Sequence, residues 1–326
     1  MDRTVSEAIR HWRRSLRRAG YAIGDEASFH CSRLLNPLGN RAAAELAYRE
    51  LLAAWPEHAD GLEGMAFLLQ LQGRSAEAAP YRERLLHQRV RALGVDETHQ
   101  DEATAYLLAG EGRVIQPRQA PQQYIRGLFD GYANNFDKHL LQKLQYQVPE
   151  QLYNSLDGIL DLEAISLDIL DLGCGTGLAG RVFRKLAKRL DGLDLSAAML
   201  LKAANRGIYD RLEQGEITER LSHMEQRYDL VIAADVMVYI GDLKPVLRAV
   251  YRVLRGGGYS VFSVEAGKAA GYRLRSTGRY QHHSSYVAEV AQSAGLETLC
   301  CRQVVLREQE GQPVRGSVFV LQRPDE

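Results

Sequence analysis

The chain has 326 residues, enough for two domains that each bury a core. Its 41 Lys and Arg balance 41 Asp and Glu, and this zero formal charge argues against broad binding to nucleic acid or to a membrane surface. Cys31, Cys174, Cys300 and Cys301 lack zinc-type spacing and no apolar run reaches membrane-span length, so a reduced cytoplasmic protein with no metal site is expected.

The first segment carries Arg3, Arg10, Arg13, Arg14, Arg17 and Arg18, with Val5, Ile9, Trp12 and Leu16 at helical spacing. A transit peptide or an interfacial helix has this look, but Asp2 and Glu7 interrupt the charge and no cleavage-type segment follows. A first helix with a solvated basic face fits better. Further on, Ala47-Tyr48-Arg49-Glu50-Leu51-Leu52 is echoed by Pro80-Tyr81-Arg82-Glu83-Arg84-Leu85-Leu86, and Gly39 by Gly73. Between them Leu62, Met65, Ala66, Leu68 and Leu69 form an apolar helical face, and Ala44, Ala66 and Ala78 fall where paired helices need close approach. The period is near that of tetratricopeptide repeats, which predicts about two such helix pairs over residues 20–95. They offer either a concave surface for a peptide or protein partner, or a cap that completes a core or makes a dimer contact.

From Asp96 to Gln123 the pattern weakens around Pro117 and Pro121, as a connection between domains would. Aromatics and amides then crowd into Tyr124–Asp137, followed by a helical stretch over Val148–Leu160. Segments so placed fold back as a lid over a ligand, or pack as aromatic filling between domains. The expected organisation is an all-helical domain over residues 1–115, a linker and helical lid over 116–160, and an α/β domain over 161–326.

Leu167-Asp168-Ile169-Leu170-Asp171-Leu172 reads as a strand that breaks into Gly173-Cys174-Gly175-Thr176-Gly177 and resumes as a helix from Leu178. Backbone N–H groups in such a loop can approach a ligand closely, and the helix N-terminus adds partial positive charge. Strands follow near 190–195, 212–217, 228–234 and 259–264, separated by helical stripes, with Ser196 placed to cap one helix. The chain ends differently, with a helix near Ser284–Ala294 and two strands, Leu296–Leu306 and Gly316–Leu321. A closing hairpin predicts a doubly wound mixed sheet whose last strand inserts antiparallel.

Gly175-x-Gly177-x-x-Gly180, with Asp194 downstream, matches a dinucleotide fingerprint. However, Asp171, Asp194, Glu216 and Asp235 stand at or near the ends of the first four strands, where ligands of such sheets bind. A doubly anionic pyrophosphate beside Asp171 costs binding energy at reduced dielectric. S-adenosylmethionine carries no phosphate, and its sulfonium and ammonium suit acidic side chains.

Asp171-Leu-Gly-Cys-Gly-Thr-Gly177, Gly192-Leu-Asp194-Leu-Ser196, Tyr228-Asp-Leu-Val-Ile-Ala-Ala-Asp235 and Leu254-Arg-Gly-Gly-Gly258 together resemble the ordered motifs of class I S-adenosylmethionine-dependent methyltransferases. The resemblance covers residues 120–326, and the whole chain is similar to bacterial methyltransferases preceded by tetratricopeptide-like repeats. It implies a seven-stranded Rossmann-like sheet with S-adenosylmethionine as cofactor. Gly173, Cys174, Gly175 and Gly177 would cradle the methionine part, with Asp171 near its ammonium. Asp194 and Leu195 would meet the ribose, and Glu216 and Ile217 the adenine, although the family usually has Asp at the position of Glu216. Asp235 and Tyr239 would border the methyl group and acceptor, and Tyr132 would close over the cofactor.

A general base is needed only if the acceptor must lose a proton, and His282 or His283 could supply it. Each could equally be a solvated or capping loop residue. Nearby Arg273, Arg275 and Arg279 could hold an acidic acceptor, or be surface charge. The fourth strand ends without the proline motif of nucleobase methyltransferases, so the expected reaction is O-methyl transfer to a small molecule or to an acceptor borne on a peptide or protein. The alternatives are a nicotinamide-dependent oxidoreductase and a tetratricopeptide scaffold with an inactive methyltransferase domain.

Overall fold

The computed structural model describes residues 41–92, 94–95, 97–112, 115–162, 166–225, 227–309 and 312–325. The basic first helix expected at the N-terminus lies outside these residues, as does Gly39. Two compact units divide the chain at Ala92/Leu93. No helix among the described residues is long and apolar enough to cross a membrane.

The first unit presents three described helices: α1 (Arg41–Ala54), α2 (Ala59–Leu71) and α3 (Ser75–Ala92). Leu51, Leu62, Met65, Leu68 and Leu69 are buried together, and so are Ala44 and Ala78. Gly64 lies against the Tyr48 ring, so α2 is bare where α1 presents that bulky side chain. Pro56 and Gly73 stand in the two short connections.

The second unit opens with α4 (Gln100–Gly110), α5 (Gln122–Tyr132), α6 (Phe136–Lys143) and α7 (Val148–Asn154). Helix α4, which the sequence pattern put with the helical domain, therefore belongs with the α/β half. Its Tyr106 Oη donates to Gly278 O at 2.8 Å, and such a long-range bond is invisible to local periodicity.

The sheet is built from β1 (Leu167–Leu172), β2 (Ala187–Asp194), β3 (Arg211–Gln214), β4 (Tyr228–Ala233) and β5 (Leu254–Ala266). These run parallel in the order β3-β2-β1-β4-β5. The intervening helices are α8 (Leu178–Phe183), α9 (Ala197–Ala204), α10 (Ile217–Ser222) and α11 (Lys244–Val253). A short ribbon, β6 (Tyr272–Leu274) and β7 (Tyr280–His282), precedes α12 (Ser284–Ser293). The long strands β8 (Glu297–Gln309) and β9 (Gln312–Gln322) close the chain.

Strand β9 runs antiparallel between β5 and β8, as a closing hairpin predicts. The β6–β7 ribbon extends the sheet beyond seven strands to nine. It pairs through β7 with the last two residues of β5, Glu265 and Ala266. Helices α10, α11 and α12 cover one face of the sheet and α7 and α8 the other. Near-continuous apolar runs, such as Leu230–Ala233, follow from burial on both faces. Each fully buried Leu, Val or Phe here contributes about 1.5–3 kcal/mol.

Candidate functional site

A cavity of about 600 Å³ lies at the C-terminal ends of β1–β4, where a doubly wound sheet binds ligands. Its floor carries Gly173, Gly175, Asp194, Leu195, Glu216, Ile217, Asp235 and Tyr239. Tyr132, Phe129 and Phe136 from α5 and α6 wall the other side. Ten of the residues singled out from the sequence, Arg279 among them, therefore meet around one space.

The glycine loop has left-handed backbone at Gly173 (φ 62°), Gly175 (φ 55°) and Gly177 (φ 90°), a run only glycine adopts without strain. A Cβ at Gly173 would also fall inside the Val236 side chain. Gly177 stands just before α8 and lies against Arg206, outside the cavity wall. Cys174 is buried and outside the cavity wall, its backbone N–H donating to Leu193 O at 3.0 Å.

Asp171 is placed differently from the expectation of a partner for the ammonium. It is 1% exposed beneath the loop, does not line the cavity, and its Oδ2 accepts from Tyr209 Oη at 2.7 Å. Being second from the end of β1, it points under the glycines. Burial pushes its carboxyl up to about 7, partly offset by the Tyr209 hydrogen bond. A raised acid makes the folded state bind its proton more tightly than the unfolded chain does. Its stabilising contribution is thus complete below about pH 4 and is lost as pH rises toward 7. Asp171→Asn should remove this penalty, keep an acceptor for Tyr209, and raise stability at pH 8 by up to about 4 kcal/mol. Thermal melts at pH 5 and pH 8 check it; an equal shift at both pH values would refute the titration as cause.

Asp194, the last residue of β2, does face the cavity. Its Oδ2 accepts from Gly175 N and its Oδ1 from Ser196 N, both at 2.8 Å. Each oxygen keeps further acceptor capacity, as two ribose hydroxyls require. Burial raises this carboxyl to about 6, against those backbone hydrogen bonds. Glu216 caps α10, its Oε2 accepting from Glu219 N (2.8 Å) and Thr218 Oγ1 (2.5 Å).

Asp235 has φ 61°, a strained conformation that Asp tolerates better than most residues. Its N–H is held by Ser263 Oγ at 3.0 Å, and its buried Oδ1 has no partner among the described residues. Its Oδ2 accepts from Arg279 Nη1 and Arg307 Nη1, each at 3.3 Å. Both arginines also pair with Glu265, and both line the cavity. The Arg279 guanidinium lies over the Tyr239 ring, 5.5 Å from its centroid, while Phe129 meets that ring edge-on. Of the three arginines noted in the sequence, only Arg279 reaches the cavity; Arg273 and Arg275 are exposed.

The proposed bases His282 and His283 do not line the cavity. His282 is 1% exposed, its Nε2 donating to Ile240 O at 2.8 Å, and it stacks on Tyr286. Burial lowers its pKa to about 4, so it is a neutral anchor for the β6–β7 ribbon. His283 caps α12, accepting from Ser285 N at 3.3 Å. Alternation along β7 and the cap position turn both rings away from the site. The histidine that does line the cavity is His139 of α6, which hydrogen-bonds Tyr132 Oη. Tyr132 ends one helix and His139 sits in the next, so their contact crosses the turn at residues 133–135 and no helical spacing in the sequence announces it.

These residues fit S-adenosylmethionine: a glycine cradle, a ribose-type carboxylate with spare acceptors, and further acidic side chains, Glu216 and Asp235, in the cavity wall. The comparisons agree. Residues 169–258 match the methyltransferase domain family. Over 145 residues the chain is 30% identical to a malonyl-[acyl-carrier protein] O-methyltransferase of Salmonella typhimurium, covering 44% of this chain and 55% of that protein. A protein of the same name from Hamiltonella defensa is 37% identical over 98 residues, covering 30% and 38%. The chain thus spans about half or less of these relatives' length. Among solved structures, Burkholderia thailandensis 1,6-didemethyltoxoflavin-N1-methyltransferase, with bound S-adenosylhomocysteine, superposes with TM-score 0.51 at 18% identity, over 65% of this chain and 94% of that one. That likeness supports the fold. The matched relatives are methyltransferases, and a nicotinamide-dependent oxidoreductase finds no support among them. The chain carries a class I S-adenosylmethionine-dependent methyltransferase domain.

Proposed function

We propose that the protein catalyses O-methyl transfer to a carboxylate, borne on a small molecule or on a peptide or protein. Arg279 carries this reading: a guanidinium in the cavity wall beside Asp235 and Tyr239, with Arg307 also reaching that wall. Guanidinium groups match the two oxygens of a carboxylate. When bound, S-adenosylmethionine supplies an electrophilic methyl group on a sulfonium. A carboxylate oxygen has no proton to lose, so the removal of His282 and His283 from the site costs this chemistry nothing. Asp235 and Glu265 balance the two arginines, so Arg279 can orient the acceptor without fully quenching its nucleophilicity. The chain's contribution is then mainly positioning. The malonyl-[acyl-carrier protein] relatives support transfer to oxygen on a protein-borne group.

The α1–α3 unit, read as tetratricopeptide-like, would recruit such a carrier through its helical surface. A hydroxyl acceptor is the second reading, favoured by His139 in the cavity wall. Calorimetry should show S-adenosylhomocysteine binding at micromolar ligand. With labelled methyl donor, aryl and acyl carboxylic acids should be esterified in preference to matched phenols and alcohols. Labelling of hydroxyls alone would overturn the carboxylate reading.

A further inference from the structure

Helices α5 and α6 wall the cavity over the glycine loop, with the Phe136 ring 3.9 Å from where a Cβ on Gly175 would stand. Their outer ends are anchored by burial. Tyr124, near the start of α5, packs on Tyr106, and Leu140 and Tyr146 enter the core under β1 and β4. The corner between the helices, residues 130–137, is held differently. Its aromatic side chains, Tyr132 and Phe136, line the cavity and are only partly buried against the core beneath, so apart from the small Ala133 no corner side chain is fully seated in that core.

Two carboxylates add polar ties to this partial packing. Asp130 Oδ1 accepts from Ser196 Oγ and, at 3.3 Å, from Ala198 N, which ties α5 to the loop just beyond Asp194. Asp137 Oδ1 accepts from Thr176 Oγ1 at 2.5 Å, inside the glycine loop. Asp137 Oδ2 pairs with Arg206 Nη2, and Arg206 Nε donates to Thr176 O. One carboxylate from each helix thus grips one of the two loops that the cofactor would touch.

We propose that Asp130 and Asp137 are latches that hold the α5–α6 corner closed over the bound cofactor, so that they set its residence time and keep Tyr132 and Phe136 in place during transfer. The inference rests on the cofactor reading of the cavity. Asp137 is 41% exposed, so its ion pair with Arg206 is weak, as a contact that must open in every catalytic cycle should be. Both are positioning residues, acting through the aromatic pair, and neither meets the reacting atoms.

The test is stopped-flow or surface-plasmon measurement of S-adenosylhomocysteine binding to the full chain, with thermal melts of each variant. Asp137→Asn and Asp130→Asn should each raise the dissociation rate about tenfold, with association not slowed and the ligand-free melting temperature unchanged. Arg206→Met should mimic Asp137→Asn, and the double variant should be no worse than either single one. Unchanged dissociation rates with normal binding by the unaltered protein would overturn the latch alone. Slower association together with a lower melting temperature would also overturn it, as a purely structural role. Failure of the unaltered protein to bind S-adenosylhomocysteine would overturn the cofactor reading beneath it.

Discussion

Asp194→Ala is expected to weaken S-adenosylhomocysteine binding about a hundredfold or more while the chain remains folded. The carboxylate has two roles: it offers acceptors to the cavity, and it holds Gly175 N and Ser196 N in place at 2.8 Å. Alanine removes both, leaving two N–H groups without that acceptor and the ribose hydroxyls without a charged one. Asp194→Asn should be intermediate, because its amide keeps one acceptor oxygen but turns an NH₂ toward a backbone donor. The pH dependence has a definite sign. The carboxyl sits near 6 because burial disfavours its charge, so affinity should be level above that pH and fall below it. Calorimetric titration at pH 5 and pH 8 measures all of this, and an unchanged dissociation constant in Asp194→Ala would refute the ribose assignment.

Arg279→Met should lower kcat/KM for the acceptor by about a hundredfold to a thousandfold, because a carboxylate taken from water loses its cationic partner. Affinity for S-adenosylhomocysteine should change little, since Arg279 stands at the Asp235–Tyr239 end of the cavity and not at the glycine loop. Arg279→Lys should recover only part of the loss, because an ammonium presents neither the paired donors nor the flat face that stacks on Tyr239. Steady-state kinetics on the best carboxylic acid, with calorimetry on the same variant, separates acceptor from cofactor effects. Full activity of Arg279→Met on that acid would show that the guanidinium does not hold the acceptor.

Much of the cofactor side was legible in the residues because it is local. A strand, three glycines at alternate positions and a helix start define the loop, and Asp194 and Asp235 follow from where the next strands stop. Tyr132 and Tyr239 also reached the cavity. The acceptor side was less legible because it is assembled from distant segments. Arg307 illustrates this: alternation along β8 puts it on the face opposite the buried Leu306, yet it is 4% exposed. A register irregularity between Val305 and Arg307 turns it inward, and no rule of period two anticipates that.

The same division explains the residues whose roles changed. Sequence placed His282 and His283 in a loop that could reach the site, and the segment does reach it, through Arg279. The pairing of β6 with β7 then directs His282 toward the Ile240 carbonyl, and the helix start takes His283. Asp171 likewise keeps its place at the end of β1, but the pleat turns it beneath the loop to Tyr209, a partner 38 residues away. By itself, then, the amino-acid order determined the order of strands and helices and the glycine loop, since these rest on periodicity and short spacings, and it pointed to the methyl donor through the resemblance of its ordered motifs to a family. Only the tertiary structure decided which charges face the cavity, because that depends on strand register and on contacts between residues far apart in the chain.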